Sequence, residues 1–159
     1  MLKMGKNLRN ELKIATITTI QYITNSVEET QNIAEKIAQQ YSHSGGVIAL
    51  IGDLGAGKTA FTQGFAKALR VTDKIISPTF ILMRQHQLPN SQRWLFHLDL
   101  YRLEDNASIS QLGLEEIFSN PQNIILIEWA DKILDRLPPS TTKIKFEKIS
   151  ETKRKINVG

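Results

Sequence analysis

The chain contains no cysteine, which excludes a disulfide framework and any thiolate metal site and fits a reducing, cytoplasmic setting. Its apolar runs are all short, the longest far below the roughly 20 residues that a membrane-spanning helix needs, so no membrane association is expected. Met1 to Lys13 carries Lys3, Lys6, Arg9 and Lys13 without the continuous apolar segment of a secretory signal. Residues 1–15 therefore read as a basic, poorly ordered extension. Repeats, low-complexity tracts and linkers are also missing, and only five prolines interrupt the sequence. Two further absences bear on chemistry. There is no Asn-Lys-x-Asp guanine-reading motif, and no compact Arg-rich lid segment.

What remains is an ordinary globular composition. Hydrophobic residues make up 41% and charged residues 23% of 159 positions, enough for a sizeable core in a single domain over 16–159. Such a length leaves no room for an added lid or substrate domain, so whatever the chain drives is expected to be another protein. A net charge of +4 permits contact with RNA or acidic partners without demonstrating it. Part of the surplus lies in the tail, where Lys143-Ile144-Lys145-Phe146-Glu147-Lys148-Ile149 alternates charge with apolar side chains. That alternation predicts a half-buried edge strand whose outward lysines discourage pairing with other chains.

Residues 52–59 read Gly-Asp-Leu-Gly-Ala-Gly-Lys-Thr, a complete G-x-x-x-x-G-K-[ST] phosphate-binding loop. The apolar run Val47 to Ile51 predicts a buried strand entering it, and Thr59 to Arg70 a helix leaving it, with Phe61, Phe65, Ala68 and Leu69 on one face. In such a loop successive backbone N–H groups point at the β-phosphate, reinforced by the positive end of the helix. Lys58 would bridge the β- and γ-phosphates, and the Thr59 hydroxyl would take one position on Mg²⁺. These residue types imply a nucleoside triphosphate.

The rest of the chain alternates strands and helices. A first strand is expected over Thr16 to Thr24, then a helix opened by a capping box of Ser26 and Glu29, with Ile33, Ile37 and Tyr41 at helical spacing. Two strand-like segments, Phe80 to Gln87 and Arg93 to Leu100, flank Leu88-Pro89-Asn90-Ser91-Gln92 and predict an antiparallel hairpin. Glu104 to Phe118 reads as helical with a break at Gly113, Asn123 to Trp129 as a buried strand, and Asp131 to Leu137 as a short helix stopped by Pro138-Pro139. Two strands around Ile144 to Ile149 and Arg154 to Val158 close the sequence. The economical architecture is α/β: a three-layer α/β/α sandwich around a mixed, mostly parallel sheet, of the P-loop NTPase type.

A phosphate-binding loop needs a carboxylate at the C-terminal end of a neighbouring strand to hold Mg²⁺. Glu128 follows four aliphatic residues, Ile124 to Ile127, where an ionised carboxylate is costly unless a metal compensates it. Trp129, next along the same rim, suits either nucleotide contact or simple packing. Asp99 ends the segment Leu95-Phe96-His97-Leu98-Asp99, and alternation puts it on one face with His97. It reads equally as a water-orienting acid or as a strand-end Asp making local turn bonds, while His97 reads as a structural histidine. Thr79, in Ser77-Pro78-Thr79-Phe80, sits where GTPases keep a γ-phosphate-sensing loop, although a turn before a strand explains it as well.

Taken in order, the loop at 52, Ser-Pro-Thr-Phe at 77, His-Leu-Asp-Leu-Tyr-Arg-Leu at 97, Leu-Gly-Leu-Glu-Glu at 112 and Ile-Glu-Trp at 127 resemble the TsaE (YjeE) family. The resemblance spans roughly Ser26 to Pro139. It implies a cytoplasmic ATPase of bacterial tRNA modification, acting with TsaB and TsaD to form threonylcarbamoyladenosine at position 37 of tRNAs that read codons starting with A. In that family TsaD transfers the threonylcarbamoyl group, and ATP hydrolysis by TsaE supports turnover, so tRNA is met only indirectly. Carried onto this sequence, the resemblance implies that Asp53, Leu54, Gly55, Ala56, Gly57, Lys58 and Thr59 bind phosphates and that Thr59 and Glu128 ligate Mg²⁺. It further implies that Lys58, Asp99 and Glu128 serve hydrolysis, that Trp129 belongs to the nucleotide site, and that Ser26 and Val27 approach the adenine. The sequence departs from the family pattern at Ala60, where a second Thr is commoner, and at Ala130, where Pro is frequent. Three rival readings fit the same loop: a small metabolite kinase, for which Arg84, Arg93 and Arg102 are available; a GTPase-like regulator, which the missing guanine motif disfavours; and a nucleotide-dependent docking protein whose hydrolysis is incidental.

Overall fold

The computed structural model describes residues 18–78, 80–104 and 106–159. The basic extension, the first residues of the expected opening strand and Thr79 lie outside the described residues. Seven strands form one sheet: β1 (Ile20–Thr24), β2 (Gly46–Ile51), β3 (Met83–Gln87), β4 (Trp94–Asp99), β5 (Ile124–Glu128), β6 (Thr142–Lys148) and β7 (Arg154–Val158), in the order β1-β7-β6-β2-β5-β4-β3. Strands β1, β2, β4, β5 and β6 run one way, and β3 and β7 the other.

The central strands are mostly apolar because both their faces are covered. On one face Ile48, Leu50, Leu126, Ile144 and Phe146 pack against Ala34 and Ile37 of α1 (Val27–Tyr41) and Phe61 and Phe65 of α2 (Lys58–Ala68). On the other, Val47, Ala49, Phe96, Ile125 and Ile127 meet Ile109 of α3 (Asn106–Ser110), Leu114 and Ile117 of α4 (Leu114–Ser119), and Ile133 of a 3₁₀ helix (Ala130–Arg136). These are the three layers expected. Helix α1 starts at Ser26, whose Oγ accepts the Glu29 N–H at 3.0 Å, while the Glu29 carboxylate reaches back to the Asn25 N–H at 2.6 Å, one residue before the usual capping-box partner. Gly113, at φ 63°, breaks the predicted long helix into α3 and α4.

Three expectations fail. The tail strand is not an edge: β6 lies between β2 and β7, and the edges are β1 and β3. Lys143, Lys145 and Glu147 alternate with buried Ile144 and Phe146 because the second helical layer stops short of β6, leaving that strand covered on one face only. The strand predicted from Phe80 starts at Met83. Pro78 carbonyl accepts from the N–H groups of Ile81 and Leu82 at 2.9 and 2.7 Å, forming a turn that leaves Phe80 83% exposed. The segment after Trp129 is 3₁₀ rather than α-helical, with non-helical backbone at Ile133 (φ −135°, ψ 25°). No helix among the described residues is long and apolar enough to cross a membrane.

Candidate functional site

The C-terminal ends of β2, β4 and β5 open together, and the crevice beyond them is where ligands bind in sheets of this kind. Register brings Leu50, Glu128 and Asp99 abreast, since Glu128 pairs with Leu50 on one side and Asp99 on the other. A cavity of about 510 Å³ lies there, walled by Gly55, Gly57, Lys58, Thr59, Asp99, Glu128 and Trp129. Leu54, Ala60, Ser77, Phe80, Tyr101, Arg102, Val27 and Arg154 complete its lining.

Residues 52–57 link β2 to α2 in a backbone path that only glycine follows easily. Gly52 has φ 152°, and a Cβ there would stand 2.6 Å from the Phe146 carbonyl oxygen of β6. Gly57, at φ 108°, precedes the helix, and Gly57, Lys58 and Thr59 line the cavity at the start of α2, where the first N–H groups of a helix have no partner within it. The Asp53 carbonyl accepts the Ala56 N–H at 3.1 Å, which closes the loop. Neither Asp53 nor Ala56 lines the cavity, and Ala56 is 1% exposed in the core.

Lys58 is 4% exposed. Its ammonium donates to the carbonyls of Gly52 and, at 2.8 Å, of Asp53, and lies 3.8 Å from the centroid of the Trp129 ring. Burial lowers its pKa below the ordinary lysine value, opposed by the negative charges of Glu128, Asp131, Asp99 and Asp53. The site thus presents a desolvated cation held by weak acceptors, which an anion would satisfy better. Trp129 reaches it through left-handed backbone (φ 58°) immediately after β5, and packs against Tyr101 at 4.9 Å between ring centroids.

Glu128 is 1% exposed and accepts hydrogen bonds from Thr59 Oγ1 at 2.8 Å, Thr62 Oγ1 at 3.2 Å and His97 Nε2 at 2.8 Å. Thr59 and Glu128 offer two hard oxygens side by side, the small protein donor set that suits Mg²⁺ when phosphate and water supply the rest. Asp99 accepts from the Ser77 hydroxyl and from the Tyr101 N–H at 3.0 Å. It makes local bonds and also faces the cavity, so the two readings of its role are not exclusive.

The start of α1 and the start of β7 meet at the same place. Ser26 spends its hydroxyl on capping α1 but lines a second cavity of about 230 Å³, which shares Val27, Gly57, Ala60 and Arg154 with the first. Arg154 donates to the Gly55 carbonyl at 3.0 Å and ties the β6–β7 turn to the loop. Arg102 stacks on Phe80 at 4.4 Å, whereas Arg93 holds the carbonyls of Tyr41 and Ser42 at the far end of α1 and is no part of the site. Sequence reasoning missed Phe80, Tyr101 and Arg154. Phe80, Tyr101 and Arg102 carried a signal as members of the blocks at 77 and 97, and Arg154 carried none.

A family model described as "Threonylcarbamoyl adenosine biosynthesis protein TsaE" matches residues 24–156, a span that contains every element of this site. The chain belongs to the TsaE family. It is 39% identical over 140 residues to the tRNA threonylcarbamoyladenosine biosynthesis protein TsaE of Bacillus subtilis, covering 86% of this chain and 83% of that protein. To the TsaE of Rickettsia bellii it is 37% identical over 139 residues, covering 87% and 93%. The crystal structure of Bacillus subtilis YdiB superposes with a TM-score of 0.70 at 30% identity, covering 89% of this chain and 84% of that one. Membership in TsaE thus extends beyond the phosphate-binding loop to the β6–β7 hairpin that closes the site.

Proposed function

We propose that the chain is the Mg²⁺-dependent ATPase of tRNA threonylcarbamoyladenosine formation, working in the cytoplasm with TsaB and TsaD and meeting tRNA only through them. The observation that carries this reading is the Thr59–Glu128 pair, 2.8 Å apart and beside a buried lysine under a complete phosphate-binding loop. When bound, Mg²⁺ would be held by Thr59 and Glu128 and would neutralise charge on the β- and γ-phosphates. Backbone N–H groups from Gly55 to Thr59 would cradle the β-phosphate. Lys58 would leave the Gly52 and Asp53 carbonyls for the phosphate oxygens, exchanging neutral acceptors for charged ones. Asp99, fixed by Ser77 and the Tyr101 N–H, would accept a hydrogen bond from the attacking water and orient it. Val27 and Ser26 border the second cavity, which suits an adenine leaving the phosphate site.

The purified chain should release phosphate from ATP slowly, only with Mg²⁺, and faster when TsaB and TsaD are added. Lys58→Ala should lose nucleotide binding. Preferential binding of GTP in a competition titration, or transfer of phosphate to a small metabolite instead of water, would replace this reading with one of its rivals.

A further inference from the structure

The two oxygens of Glu128 face different partners. Oε2 accepts from Thr59, the loop residue proposed to share the metal, and Oε1 accepts from His97 and Thr62. Thr62 carries a single hydroxyl proton, and its Oγ1 also lies 3.0 Å from the Lys58 carbonyl one turn back in α2. It cannot serve both acceptors fully. His97 can. It is fully buried on β4, abreast of Leu126 in β5, and among the described residues its Nε2 has no acceptor other than Glu128. Nδ1 is buried with no hydrogen-bond partner among the described residues. An ionised carboxylate only accepts, so the contact requires the proton on Nε2 and leaves a bare lone pair, rather than an orphaned N–H, at Nδ1.

We infer that His97 is a positioning residue that sets the affinity of the site for Mg²⁺ by fixing the Glu128 carboxylate. Its donated hydrogen bond engages Oε1 and holds the side chain in the orientation that turns Oε2 toward Thr59. Residues that orient a metal-binding carboxylate from behind commonly change metal affinity 10–100-fold when removed. A buried neutral imidazole must place one N–H on an acceptor, and His97 places it on the Glu128 carboxylate rather than on a backbone carbonyl. The inference rests on the Mg²⁺ reading of the site, and the test separates the two.

The experiment measures ADP affinity by calorimetry in Mg²⁺ and in EDTA, for the wild type, His97→Met, His97→Gln and His97→Asn, with thermal unfolding as a check on folding. Wild type should bind ADP more tightly in Mg²⁺. His97→Met should lose about tenfold of that gain while its EDTA affinity stays unchanged. Gln, whose amide nitrogen falls near the place of Nε2, should recover most of the gain, and Asn, whose nitrogen falls near Nδ1, should not. Should His97→Met fail to fold, the Gln–Asn difference decides alone. A full Mg²⁺ gain in His97→Met, equal losses in both buffers, or identical behaviour of Gln and Asn would overturn the inference. No Mg²⁺ gain in the wild type would instead remove the metal reading on which it rests.

Discussion

On the proposed function, Lys58 is the residue whose energetics a bound nucleotide would change most. Burial is the largest influence on it and lowers its pKa below 10.5, so the folded chain holds that proton less tightly than the unfolded one. The sign follows: between the lowered value and 10.5 the unfolded state binds more protons, stability rises with pH, and the contribution is lost as pH falls through the folded value. A triphosphate reverses the shift by placing negative charge on the ammonium. Nucleotide binding should therefore take up a proton in that alkaline window, read by calorimetry in buffers of different ionisation enthalpy. Lys58→Arg, which stays charged at any accessible pH, should abolish the pH-dependent part of the uptake. Lys58, Thr59 and Glu128 were legible in the sequence because phosphate and metal chemistry demand those residue types at a loop and a strand end. His97 was legible only as a side chain on the face of Asp99. Its pairing with Glu128 depends on the register between β4 and β5, which alternation within one strand does not encode.

Elements that are covered on both faces were the readable ones. The runs Val47 to Ile51 in β2 and Ile124 to Ile127 in β5 have one interpretation because every residue in them is apolar and buried or nearly so. Phe80-Ile81-Leu82 is equally apolar but belongs to a turn, since the Pro78 carbonyl captures two N–H groups that a strand would have used. The β6 lysines misled in another way: alternation reveals a half-covered strand and is silent on whether a neighbour flanks it. Contact between α1 and α2 gives a prediction at this scale. A Cβ on Gly64 would stand 2.4 Å from the Gln31 carbonyl oxygen and 2.6 Å from its Cα, backbone atoms that cannot rotate away. Gly64→Ala should therefore push the helices apart and cost about 1–3 kcal/mol in urea unfolding, despite the better helix propensity of alanine. A stabilised variant would show that the two helices slide freely over one another.

At the scale of the molecule, the cavity is closed by segments far apart in sequence: Val27 at the start of α1, the loop after β2, Asp99 and Glu128 on adjacent strands, and Arg154 at the start of β7. Arg154 ties the last hairpin to the Gly55 carbonyl, so the candidate site spans nearly the whole of the region shared with the TsaE family. On the function proposed above, the Thr59–Glu128 pair would serve ATP hydrolysis in this chain, and threonylcarbamoyl transfer would fall to a partner. Reconstituted modification of tRNA with TsaB and TsaD, under conditions where each complex must act many times, tests that division most directly. Product should keep forming only with this chain and Mg²⁺–ATP, and should stop with Glu128→Gln. Repeated turnover at an undiminished rate without the chain, or with Glu128→Gln in its place, would contradict the account.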